Sequence, residues 1–154
     1  MKNFLIALLV FLCPVVASAQ RYTNQQQGFA ITLPGVADTS DSSGDTFAVY
    51  GINADHTVSG LVMVNSTVKI AGETAADFDS LLGSFGFNRT GCVYTNSSER
   101  CLFTTTNAKG IALHGVIMAI VGSNRSLYLV AAYSVDSAGL DAVPGQIVDS
   151  FQLL

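Results

Sequence analysis

Two long apolar runs, residues 111–121 and 127–133, flank a short polar segment, Gly122-Ser123-Asn124-Arg125. In the first run Ile111, Leu113, Gly115, Ile117, Ala119 and Val121 alternate with Ala112, His114, Val116, Met118 and Ile120, so each set points to one face of a strand. Leu127, Leu129, Ala131 and Tyr133 alternate with Tyr128, Val130 and Ala132 in the second. Both faces are mostly apolar, the pattern of strands covered on two sides. The glycine, serine and asparagine between the runs supply turn chemistry. This pattern predicts a hairpin at the centre of a sheet.

Upstream, residues 28–33 place Phe29, Ile31 and Leu33 on one face of a strand that Pro34-Gly35 ends, because proline cannot donate to the ladder. Residues 20–27 are polar and read as a lead-in, with Tyr22 pinned to the body. Further strands are predicted over 46–53 and 57–64, the second with a bulge near Gly60. Then the period changes. Phe78, Leu81, Leu82 and Phe85 fall at helical spacing, Thr74 and Asp77 form a capping-box pattern, and Gly86 is placed to stop the helix. The spacing predicts a helix over 74–85. Leu140, Val143, Ile147 and Phe151 repeat that period near the end of the chain, with Pro144 suited to the first turn of a short helix over 143–150.

Between these helices, Cys92 and Cys101 flank Asn96-Ser97. A two-residue turn there pairs Thr95 with Ser98, Tyr94 with Glu99, Val93 with Arg100 and Cys92 with Cys101. Cα atoms of such a pair approach to ~4.5 Å, within disulfide reach. The expected bond is a structural staple, since the pair lacks the C-x-x-C spacing of redox motifs.

Composition changes the picture at the N-terminus. A basic start at Lys2, an apolar stretch over 4–16 and Ala17-Ser18-Ala19 form a signal peptide with cleavage after Ala19. The apolar stretch is shorter than the ~20 residues a membrane span needs, and Cys13 leaves with the leader. Residues 20–154 are read as one domain with enough chain to bury a core. The leader takes only Lys2 from 7 basic residues and none of the 11 acidic ones, so the mature chain is net acidic. Scattered lysines and arginines on an acidic chain argue against nucleic acid. No basic amphipathic face points to stable membrane insertion.

Chemistry is sparse. A hydrolase triad needs a nucleophile, a base and an orienter, yet the only histidines are His56, beside Asp55 in a turn, and His114, on the central strand. Two distant histidines and a bonded cysteine pair supply no zinc set. Asp38, Asp41 and Asp45 lie in one polar segment without the spacing that turns carboxylates inward on calcium. No metal, cofactor or catalytic residue is expected. Asn65, Asn88, Asn96 and Asn124 begin N-x-S/T sequons, which matter only in a host that glycosylates.

Gly28-Phe29-Ala30-Ile31-Thr32-Leu33-Pro34-Gly35 near the mature N-terminus, Asn124-Arg125-Ser126-Leu127-Tyr128-Leu129 before a strand, and Asp149-Ser150-Phe151-Gln152-Leu153 at the end resemble small exported PsbP-like domains. That resemblance implies an α+β fold, an antiparallel sheet with helices on its faces in an α/β/α sandwich. It also implies binding or accessory modules with no shared catalytic residue. The sequence thus points to a non-enzymatic exported or periplasmic domain that binds a protein or envelope partner. Its candidate contacts are Asp38, Asp41 and Asp45 in the acidic segment, and Tyr94, Asn96 and Glu99 at the hairpin tip, because recognition resides on loops carried by a rigid scaffold. The alternative is a small-molecule or lipid carrier with a pocket between sheet and helix. A hydrolase using His56 or His114 ranks behind both.

Overall fold

At the centre stand two strands, β7 (Ala112–Val121) and β8 (Leu127–Val135), paired antiparallel from Leu113 opposite Val135 to Val121 opposite Leu127. The computed structural model describes residues 19–39, 45–66, 74–123, 125–135 and 142–154. Residues 1–18 of the expected leader over 1–19, the candidate contact Asp41, and Asn124 of the central turn lie outside the described residues. Around the central pair stand β3 (Thr46–Ile52), β4 (Val58–Asn65), β5 (Asn88–Thr95) and β6 (Ser98–Thr106). Together they form a six-stranded antiparallel sheet in the order β3-β4-β8-β7-β6-β5.

Both faces of the central strands carry a core cluster, as their two-sided apolar pattern predicts. On one face Val116, Tyr128, Val130 and Ala132 join Phe29, Ile31, Leu33, Ile147 and Phe151 in one core cluster. On the other, Ile117, Ala119, Leu127 and Leu129 join Phe78 and Leu82. Those last two belong to helix α1 (Ala75–Gly83). Its capping box is formed: the Asp77 N–H donates to Thr74 Oγ1 (3.3 Å) and the Thr74 N–H to Asp77 Oδ2 (3.0 Å). Hydrogen bonds from the Thr74 side chain and backbone hold the Asp77 carboxyl below its usual range. Helix α1 ends at Gly83, two residues before the predicted last residue, so Phe85 leaves it.

The first cluster differs from expectation in what covers it. Residues 20–27, read as a lead-in, supply most of β1 (Ala19–Asn24), which starts at the last residue of the expected leader and pairs antiparallel with β2 (Phe29–Pro34). A short β9 (Gln152–Leu153) closes this three-stranded sheet on the other side of β2. The side chains of β1 are mostly exposed, so it carries no apolar alternation; its backbone satisfies itself on β2. Helix α2 (Ala142–Asp149) covers part of the same face, with Pro144, Ile147 and Val148 buried and Pro144 in its first turn.

No bulge exists at Gly60. The register runs unshifted through Gly51 opposite Gly60 and Gly60 opposite Ala132. Val58, Val62 and Val64 face one cluster while Met63 packs on the other, and two apolar faces imitated a broken alternation. The glycines serve close packing instead. A Cβ on Gly60 would lie 3.0 Å from Ile147 Cγ2 and Leu33 Cδ2, and one on Gly51 would collide with the Pro34 carbonyl oxygen. Side chains there would push the small sheet away from the large one.

Candidate functional site

Helix α1 has only nine residues, and among the described residues part of its sheet face is left uncovered. Beyond its end, Phe85 is 40% exposed and stacks on Phe87 (6.1 Å between centroids), which stacks on Phe103 (4.7 Å). This aromatic row forms one wall of a concave groove of about 250 Å³ whose floor includes Leu61, Met63, Leu129 and Tyr133. A second lobe of about 170 Å³ shares Met63, Phe85 and Leu129 and extends to Thr46 and Asn65. Among the described residues, no carboxylate, imidazole, amine or thiol lines either lobe. The described lining can take up apolar surface, and it offers no acid, base or nucleophile beyond hydroxyl groups.

Its components were partly visible in the sequence. Leu129, Ala131 and Tyr133 belong to one face of the predicted central hairpin. The partial exposure of Ala131 and Tyr133 was not visible, because it depends on where α1 stops. Phe85 marks the difference: read as the last residue of the helical stripe, it becomes the rim of the groove.

The candidate contacts separate. Asp38 is exposed beyond β2, exchanging backbone hydrogen bonds with Tyr50 (2.8 and 3.0 Å) and accepting one from Tyr50 Oη at Oδ2 (3.1 Å). Asp45 is exposed next to Thr46, and its carbonyl accepts the Ser66 N–H (3.3 Å). Since Thr46 lines the second lobe, the acidic segment ends at the groove. At the hairpin tip Asn96 is exposed, while the Tyr94 ring lies 5.9 Å from that of Phe78. His56 sits exposed in the turn between β3 and β4, and His114 lies on β7 opposite Thr104 and Ser134. Among the described residues, neither histidine joins a group of three metal-ligating side chains.

Glu99 requires a correction. Expected as a surface contact, it is only 5% exposed. It opposes Tyr94 on β5 and Ala119 on β7, which places it on the α1 face rather than at the tip. Its Oε2 has no hydrogen-bond partner. Burial pushes the Glu99 carboxyl up from its ordinary value; nearby Asp79 adds to this and Arg89 opposes it. With its folded value above the unfolded one, Glu99 stabilises the fold at pH below the unfolded value, and that contribution is lost as pH rises through the folded value. Thermal scans between about pH 4 and about pH 8 are expected to show Glu99→Gln equal to or above wild type at neutral pH, with a flatter profile. A variant that loses stability at neutral pH would show instead that the carboxylate is held by favourable contacts.

The predicted hairpin register holds from Thr95 opposite Ser98 to Val93 opposite Arg100. Then it shifts: Thr90 pairs with Leu102, so Gly91 and Cys92 together oppose Cys101, a bulge with Gly91 at φ +58°. Cys92 and Cys101 are joined, with Cα atoms 4.1 Å apart.

The arrangement of strands and helices has a counterpart among solved structures. The solution structure of cyanobacterial PsbP (CyanoP) from Synechocystis sp. PCC 6803 matches with a TM-score of 0.62, covering 92% of this chain and 97% of that one. The fold is PsbP-like. Sequence identity in the match is 11%, so the likeness carries the PsbP fold and no residue roles. No protein-family model matches the chain, and no curated protein does. Among the described residues, no helix of this PsbP-like domain is long and apolar enough to cross a membrane.

Proposed function

We propose that this PsbP-like chain is a non-enzymatic, exported accessory domain that binds another protein through the groove beside α1. Residues 20–154 act as one domain in this reading. Helix α1 forms one outer layer of an α/β/α sandwich, and α2 with the small sheet forms the other. The observation that carries the proposal is a sheet face that, among the described residues, is half covered and lined by uncharged side chains, with Phe85 exposed at its rim. Catalysis needs converging acid, base or nucleophile, and the groove presents apolar side chains instead.

Shape favours a protein over a carried small molecule. Small-molecule sites bury most of their ligand. A shallow two-lobed groove that opens to solvent suits one or two apolar side chains of a partner, the usual centre of a binding hot spot. Asp45 next to one lobe and Asp38 further along the same segment favour basic residues flanking that anchor, a complementarity that acts mainly on association rate. The disulfide and the signal-peptide pattern support an oxidising compartment outside the cytoplasm.

Leu61→Asp places a charge on the groove floor. The full chain carrying it is expected to lose at least about thirtyfold in affinity for the protein retained by immobilised wild type, equivalent to about 2 kcal/mol. Asp38→Asn with Asp45→Asn is expected mainly to slow association and reduce its salt dependence. Equal retention by wild type and a folded Leu61→Asp variant would move the binding surface away from the groove. A lipid co-purifying with wild type and lost in that variant would favour the carrier reading.

A further inference from the structure

We propose that Cys92, Cys101 and Glu99 form a redox-gated site for a thiophilic divalent cation of the Zn²⁺ type. It is closed as the disulfide and opens to metal after a dithiol reductant cleaves that bond. The two sulfurs and a Glu99 carboxylate oxygen lie within 4.8 Å of one another. Zinc holds thiolate sulfur at about 2.3 Å and carboxylate oxygen at about 2.0–2.2 Å in a tetrahedron, which sets the donors roughly 3.5 Å apart. Side-chain torsions can make that change once the sulfurs are separate.

The backbone explains the clustering. Glu99 and Cys101 are two residues apart on β6 and share its α1 face, while the Gly91–Cys92 bulge brings Cys92 opposite Cys101. The independent observation is Glu99 itself: 5% exposed, with Oε2 unpartnered. A buried carboxylate without a donor works against the fold, and a cation at the sulfurs would supply the missing partner. Asp79 and Arg89 are the charged groups acting on it, and they pair with each other at 2.9 Å. Cys92, on the exposed edge strand, gives a reductant access, whereas Cys101 is fully buried.

The chemistry balances. The reductant's two thiols give up two electrons and two protons and become a disulfide, and Cys92 and Cys101 become thiols. Binding the cation releases both thiol protons and forms two metal–sulfur bonds and one metal–oxygen bond, with water as fourth ligand. Loss of the cation and transfer of two electrons to an oxidised dithiol partner restore the disulfide.

Cobalt(II) provides the probe. The full chain, reduced under anaerobic conditions by a phosphine, is expected to bind one equivalent of Co²⁺ with a thiolate-to-metal charge-transfer band. The oxidised chain should show no such band. Removing a residue that merely orients a metal ligand costs about 10–100-fold in affinity, so Glu99→Gln should cost at least about tenfold. Cys92→Ser should abolish the band. Absence of the band in reduced, folded wild type, or equal affinity in Glu99→Gln, overturns the proposal. If reduction unfolds the chain, Zn²⁺ must restore its far-ultraviolet circular dichroism in wild type and require higher concentrations in Glu99→Gln; failure of either also overturns it.

Discussion

Phe29→Ala is expected to cost roughly 3–5 kcal/mol, the range for deleting a fully buried aromatic side chain. Phe29 has no exposed surface, and its ring lies 5.8–6.2 Å from those of Tyr22, Phe47, Tyr128 and Phe151. These neighbours belong to both sheets and to the segment after α2, so no single element can move to fill the cavity. For a chain of this length the loss corresponds to a fall of roughly 10–20 °C in Tm. In urea, the midpoint should drop with little change in slope. Val36→Ala, at a side chain 75% exposed, should change stability by no more than about 0.5 kcal/mol. A loss below about 1 kcal/mol for Phe29→Ala would mean that the two sheets do not share this core.

Loss of the disulfide should have the next largest effect. Cys92 and Cys101 are 9 residues apart, and closing so short a loop restricts the unfolded chain by roughly 2–3 kcal/mol. The double variant Cys92→Ala, Cys101→Ala avoids burying a new hydroxyl at Cys101, which is fully buried. Its destabilisation should match that of metal-free wild type after reduction. Hydrogen exchange should quicken most in β5 and β6, because β5 is an edge strand with a single neighbour in its sheet. An unchanged Tm would show that the bond adds nothing the hairpin lacks.

Much of this fold is legible in the sequence because local and tertiary signals agree. The central hairpin could be read from its two-sided apolar pattern since each sheet face holds a core cluster. Thr74 and Asp77 announced the start of α1 through hydrogen bonds made within one helical turn. The turn at Asn96-Ser97 fixed three cross-strand pairs, until the Gly91–Cys92 bulge shifted the ladder. What escaped depends on distant partners. Strand β1 is held by backbone pairing and has no apolar alternation to read. Strand β9 is two residues long and finds its place only beside β2.

The candidate site was less legible for the same reason. Leu61, Leu129 and Tyr133 look like ordinary inward-facing residues; they line a groove only because α1 ends at Gly83. Glu99 looks like a hairpin-tip charge, yet its pairing with Tyr94 and Ala119 turns it beneath the α1 layer. Period-two patterning gives the face on which a residue lies. It does not say how far a covering helix reaches.

A photo-crosslinking side chain at position 85, introduced into the full chain in its native host, tests the central claim most directly. Position 96, on the exposed hairpin turn, serves as the comparison. The account predicts one dominant protein adduct from position 85, suppressed by Leu61→Asp, and little or none from position 96. An adduct from position 96 with none from position 85 would contradict the groove as the binding surface and place recognition on the hairpin tip.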